Sequence, residues 1–283
     1  MRWGMSSRRV PGPREACPAQ VMDPTPTLAY DRAGSGEPLV LVHPLGADRA
    51  VWEPVTEPLA AEHDVVAVDM PGFGESVELA AAVAATPEAI ADTIVATLDS
   101  LGLDRAHVAG ISLGGWVALE LGKTGRALSV TALNPAGFWA RPLGPRPEGA
   151  RRTAKRFLAL ARPFLATARG RQLALAGAVA HPERVPPAAA YRLVKAYALS
   201  PGFERANAEM RRTLFAGIED IEVPVTLAWS DRDRLVGRPR RDPEGVRMVT
   251  LTDCGHVPTW DSPGQVTDTI LSTTRAAHPP LSV

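Results

Sequence analysis

Short apolar runs alternate along the chain with longer amphipathic stretches, the pattern of parallel strands joined by crossover helices. Five runs, Leu39 to Val42, Val65 to Val68, His107 to Ala109, Ser129 to Leu133 and Val225 to Trp229, are brief and rich in Val, Leu and Ala. Such strands are expected where both faces of a sheet are covered. Val246 to Leu251 is a sixth. Ahead of them, Leu28 to Asp31 and the turn Gly34-Ser35-Gly36-Glu37-Pro38 predict a hairpin leading into the first strand. The clearest helix starts with Thr86 as cap and Pro87 at the first helical position, and its Ile90, Ile94, Val95, Leu98 and Leu101 share one face. A second helix is expected from about Gly114 to about Leu121.

From about Gly137 to Ala216 the strand signal stops, and Ala, Leu and Arg are broken by Pro163, Pro182, Pro186, Pro187 and Pro201. Alternation resumes at Val223, so this is a helical insertion into one sheet. The expected organisation is an α/β core over 25–136 and 216–275 with a mostly parallel sheet and helices on both faces. A helical cap fills 137–215, a disordered extension 1–24 and a loose tail 276–283. Met5 and Met22 are candidate alternative starts. No internal repeat is visible.

Length and composition fit one globular unit, with 283 residues, 45% hydrophobic and mean hydropathy -0.04. No apolar run reaches the ~18 residues of a spanning helix. With only Cys17 and Cys254, a disulfide framework is excluded and a reducing, cytoplasmic setting is expected. Lys and Arg total 31 and so do Asp and Glu, which leaves no net charge to attract nucleic acid or an anionic membrane. The balance is uneven, however, because residues 137–215 hold 15 basic against 4 acidic residues. A basic lid held partly by charge on an acidic body, or solvated helix faces, would each give this distribution.

Candidate chemistry centres on Gly110-Ile111-Ser112-Leu113-Gly114, which sets a serine between a strand and a helix. So tight a turn strains its central residue and needs small residues two before and two after it. A serine hydroxyl needs a base, itself oriented by a carboxylate, and in this topology the order is serine, acid, histidine. Of six histidines, His256 follows the last strand in Asp253-Cys254-Gly255-His256, whereas His278 lies in the Pro-rich tail. The acid is expected at Asp233, with Asp231 as reserve, in Ser230-Asp231-Arg232-Asp233 after the strand ending near Trp229. The oxyanion is expected to meet the amides of Leu113 and of Leu45, since Pro44 has none. His43 precedes the nucleophile, and that order assigns it a structural role.

These residues together resemble the α/β-hydrolase superfamily, from roughly Leu28 to Thr274. The turn Asp69-Met70-Pro71-Gly72-Phe73-Gly74-Glu75-Ser76 and the position of the insertion belong to the likeness. Pro44 and Ser230 depart from it, standing where many members have glycine. The resemblance implies a serine hydrolase cleaving a carboxylic ester through an acyl-enzyme, without cofactor or metal, on a small, apolar ester substrate. Within the family, the spacing of three residues from Ser230 selects Asp233 as the acid. Ser112 occupies the place of the nucleophilic aspartate of dehalogenases and epoxide hydrolases, which argues against those chemistries. Carbon-carbon bond hydrolysis and cofactor-free perhydrolysis use the same triad. A non-catalytic binder of the same fold is the reading from another class. Phe138, Trp139, Phe157, Leu158, Phe164 and Leu165 suit an apolar acyl pocket, and equally the packing of lid helices on the core.

Overall fold

The structure, a computed structural model, describes residues 27–144, 149–239 and 241–278. The expected extension 1–24 and the tail beyond His278 lie outside the described residues. Among the described residues there are seven strands, β1 (Tyr30–Gly34), β2 (Glu37–Val42), β3 (His63–Val68), β4 (Ala106–Ile111), β5 (Ala127–Leu133), β6 (Val225–Ser230) and β7 (Arg247–Leu251). The helices are α1 (Glu53–Ala60), α2 (Pro87–Ser100), α3 (Leu113–Lys123), α4 (Gly149–Arg156), α5 (Leu158–Ala166), α6 (Ala168–Leu175), α7 (Pro187–Leu199), α8 (Phe203–Arg212) and α9 (Pro263–Ala276). The strands form one sheet in the order β1-β3-β2-β4-β5-β6-β7, and every pair is parallel except β1 with β3.

Strand pleating sorts the core into two layers. Leu39, Leu41, Val65, Ala67, Ala109 and Ile111 are buried with Val55 and Leu59 of α1 and Val266 and Ile270 of α9. Their neighbours Val40, Val42, Val66, Val68 and Val108 are buried instead with Ile90, Ile94 and Leu98 of α2 and Trp116 and Val117 of α3. Thr86 caps α2 as expected, its hydroxyl accepting from Ala89 N at 3.2 Å.

The expected hairpin is not formed. β1 and β2 are consecutive but β3 lies between them, and β1 is the antiparallel edge, Tyr30 facing Val68. The glycines do not make a two-strand turn; they let the chain cross the start of β3. A Cβ at Gly34 would lie 2.3 Å from the His63 carbonyl oxygen, and one at Gly36 3.0 Å from that of Glu62. Both glycines also have positive φ, +86° and +115°, so the turn signal was real and its partner strand was not.

Helices α4 to α8 all lie between β5 and β6. Phe215 N donates to Gly137 O at 3.1 Å, which brings the two ends of this segment side by side. Elsewhere the segment is attached by backbone bonds, Gly202 N to Gly72 O at 2.9 Å and Val257 N to Ala178 O at 2.7 Å. The buried Asp261 carboxylate adds two more, accepting from Ala180 N at 2.9 Å and His181 N at 2.8 Å, and it accepts from Gly255 N at 2.8 Å within the body. Ion pairs to the body also occur, Arg192 with Glu53 and Arg205 with Glu78, but these side chains are partly exposed, and such pairs are worth at most about 1 kcal/mol. Charge therefore acts at the rim of the attachment, and buried hydrogen bonds at its centre. Replacing Asp261 by Asn removes the negative charge and turns one of the two acceptor oxygens that serve these three amides into an NH2 donor, a loss of about 2 kcal/mol on the scale of bonds to charged groups. Hydrogen exchange at 178–181 and 255 should accelerate in this variant, and more than it does in the parent when salt is raised to ~1 M, a condition that screens only the rim pairs. Equal exchange in parent and variant would contradict this attachment.

Candidate active site

Strand β4 is fully buried and passes into α3 through one residue, Ser112, at φ 57° and ψ -117°. A non-glycine residue there is strained and persists only where its surroundings over-determine it. They do so here. Ser112 N donates to Leu133 O at 2.9 Å, and Ser112 O accepts from Trp116 N and Ala136 N, both at 3.0 Å. The flanking glycines are steric necessities. A Cβ at Gly110 would lie 2.0 Å from Gly114 O, and one at Gly114 would lie 2.2 Å from Val42 O and 2.5 Å from His43 O. The second close approach seats the turn against the loop that follows β2.

That loop carries Leu45. Leu113 opens α3, so its amide has no intrahelical partner and sits at the positive end of the helix dipole. Among the described residues, neither the Leu45 nor the Leu113 amide makes a hydrogen bond. His43 holds the loop in shape: its Nδ1 lies 2.8 Å from Pro44 O, and its Nε2 accepts from Met70 N at 2.9 Å. Burial lowers the His43 pKa, and a neutral ring with Nδ1 protonated satisfies both bonds. On its outer side the loop meets the helical insertion, since a Cβ at Gly46 would come within 3.0 Å of both Tyr197 and Phe203.

Asp233 lies three residues beyond β6 and His256 lies in the loop after β7. The structure brings them together, His256 Nδ1 2.7 Å from Asp233 Oδ2, with side chains 7% and 1% exposed. The other carboxylate oxygen of Asp233 accepts from Leu235 N at 2.7 Å and Val236 N at 3.1 Å, which orients the group. Asp231 takes a different part, accepting from Cys254 N at 3.3 Å. Cys254, two residues from His256, is buried. Burial, with nearby Asp261, Asp231 and Asp253, pushes its thiol up to about 12, so it stays protonated and a poor nucleophile.

Two residues that sequence reasoning did not single out hold these loops. Asn134, buried at the end of β5 with φ 46°, accepts from Ser230 N at 2.7 Å and donates from Nδ2 to Ser230 Oγ at 2.9 Å and His256 O at 2.9 Å. It joins the end of β6 to the loop that carries His256. Ser230, where glycine was the family pattern, uses its hydroxyl in this bond. Asp261 is the second, tying Gly255 to the insertion as described above. The available signal was Asn134-Pro135 directly after a strand, a polar side chain at a carboxyl edge where sites gather. Of the aromatic and aliphatic residues weighed for an acyl pocket, Phe138 packs on Phe215 and Trp229, and Trp139 on Trp116. Leu165 is buried and Leu158 packs on the core, whereas Phe157 and Phe164 are about half exposed.

Among the described residues no helix is long and apolar enough to cross a membrane. Residues 39–269 match the model of the alpha/beta hydrolase family. Among curated proteins, the chain is 32% identical over 204 residues to epoxide hydrolase EphH of Mycobacterium tuberculosis, covering 65% of this chain and 92% of that protein. A shorter match, 38% over 95 residues, links it to a pimeloyl-[acyl-carrier protein] methyl ester esterase of Aeromonas hydrophila, across 34% of this chain and 35% of the relative. Among solved structures, a thermophilic esterase from Thermogutta terrifontis superposes with TM-score 0.68 at 24% identity, over 89% of this chain and 94% of the other. The enol-lactonase from Burkholderia xenovorans LB400 gives TM-score 0.66 at 22% identity, over 88% and 96%. The chain belongs to the alpha/beta hydrolase family and is an enzyme of that superfamily.

Proposed function

We propose that this hydrolase cleaves a small, apolar carboxylic ester through an acyl-enzyme on Ser112. The observation that carries the reading is the buried bond between His256 Nδ1 and Asp233 Oδ2 at 2.7 Å, set at the same sheet edge as a serine on a strained turn. In this reading Asp233 fixes the tautomer with the proton on Nδ1, leaving Nε2 to take the Ser112 proton as Oγ attacks the acyl carbon. The oxyanion is received by the Leu45 and Leu113 amides. His256 then protonates the departing alcohol, and the acyl-enzyme forms. A water gives its proton to Nε2, attacks the same carbon and releases the acid, restoring Ser112. The helical insertion, in this reading a cap over residues 137–215, presents Tyr197 and Phe203 against Gly46 beside the oxyanion loop, which suits an apolar group on the substrate.

The name of the Mycobacterium relative supplies the competing reading, epoxide opening. An ester formed on a carboxylate nucleophile is cleaved at its acyl carbon, but an ether formed on Ser112 by epoxide attack has no such carbon and would not turn over. That favours esters. Activated esters of graded chain length, assayed beside a simple aryl epoxide, test the proposal. Ester turnover is expected, and the Ser112→Ala variant should lose more than about a thousandfold of it with the fold intact. Epoxide turnover without ester turnover would overturn the reading.

The acid gives a second test. Asp233→Asn cannot hold the same tautomer, and turnover should fall by up to ~10⁴ with little change in stability. Asp231→Asn keeps an oxygen for the Cys254 amide but loses the charge that strengthens that bond, and should act mainly on the urea midpoint. A larger turnover loss from Asp231→Asn would reassign the acid.

A further inference from the structure

At the amino edge of the sheet, opposite Ser112, three side chains from distant parts of the chain converge. Glu37 stands at the start of β2, His107 near the start of β4, and His278 just past the end of α9. Glu37 Oε2 lies 2.8 Å from His278 Nε2 and 3.3 Å from His107 Nε2. One ligand atom from each of the three residues lies within 4.8 Å of the other two. We propose that Glu37, His107 and His278 form a zinc site, with an open position for water, that pins the end of α9 to the sheet.

The geometry is close to what the ion needs. Tetrahedral zinc, with bonds of about 2.0–2.1 Å, sets its ligand atoms about 3.3–3.4 Å apart. The Glu37–His107 edge already has that length. The Glu37–His278 edge must open by about half an ångström on the same geometry, and both side chains are about half exposed, 48% and 55%, so they are free to give. Two imidazoles and one carboxylate are a donor set that zinc takes, and water completes the fourth position.

The surroundings fit as well. His107 is buried and its Nδ1 lies 2.8 Å from Ser129 Oγ, the kind of outer hydrogen bond that orients a metal-bound imidazole. A serine hydroxyl accepts as readily as it donates. The ring can therefore carry its proton on Nδ1 toward Ser129 and offer the Nε2 lone pair to the ion, releasing any proton held at Nε2 to solvent. His63, edge-on to His107, is engaged with Glu37 O and the Thr274 hydroxyl and is not counted as a ligand. A cavity of about 170 Å³ lined by Glu37, His63, Thr274 and His278 leaves room for water. Arg275 lines it too, but is bound to Glu62 at 2.7 Å, which compensates its charge. From His107 to Ser112 is five residues along β4, about 16 Å at the usual rise, so the ion would brace the fold and take no part in ester chemistry.

Titration of the chelator-treated full chain with zinc chloride at pH 7.5, read by calorimetry and thermal unfolding, tests the site. The parent should bind one equivalent and gain a few degrees in Tm. His278→Ala and Glu37→Gln should each weaken binding more than ~10-fold. His181→Ala should bind as the parent does, because His181 is paired elsewhere, with Asp253 and Glu183. Absence of binding in the parent would overturn the proposal. So would titrations of His278→Ala and Glu37→Gln that match the parent, since zinc would then be held by other groups.

Discussion

Everything at the carboxyl edge of this sheet depends on one residue held where a serine does not rest of its own accord. The backbone of Ser112, at φ 57° and ψ -117°, costs of the order of 1–3 kcal/mol. The cost is met by Leu133, Trp116 and Ala136, whose bonds to Ser112 come from β5, α3 and the loop after β5. It is met also by the absence of side chains at Gly110 and Gly114, where backbone oxygens would stand 2.0 and 2.2 Å from a Cβ. The turn is therefore held in place only with β2, β4 and β5 beside one another. Fold and site are the same construction at this point.

The acid and histidine loops obey a different logic. Neither His256 nor Asp233 belongs to a regular element, so buried polar side chains do the work that helices and strands do elsewhere. Asn134 reaches from β5 to the end of β6 and to the carbonyl of His256. Asp261 reaches from the start of the last helix to Gly255 and to the insertion. A fully satisfied buried network of this kind rigidifies its members.

Much of this was legible in the chain. The apolar runs marked six of the seven strands among the described residues, and Thr86-Pro87 marked the start of α2, because burial on two faces and helix capping are local demands that leave local traces. The elbow was legible for the same reason: glycines two before and two after Ser112 answer a clash within five residues. The partner of β1 was not, since Gly34 and Gly36 report only that the chain must turn closely past something, and β3 comes later in the sequence. Asn134 and Asp261 were equally hidden. Each bonds to groups 80 to 122 residues away, apart from Gly255 near Asp261, and no spacing rule connects residues that meet only after folding. The choice between Asp231 and Asp233 rested on family spacing, and the structure places Asp233 on His256 and Asp231 on the neighbouring amide of Cys254.

The central claim is that the strained serine is a nucleophile activated through His256. Incubating the folded protein with an activated fluorophosphonate and measuring its intact mass tests it most directly. The account predicts a single covalent adduct, mapped by peptide sequencing to Ser112 and absent after heat denaturation of the protein before labelling. An unlabelled folded protein, or an adduct on any other residue, would contradict it.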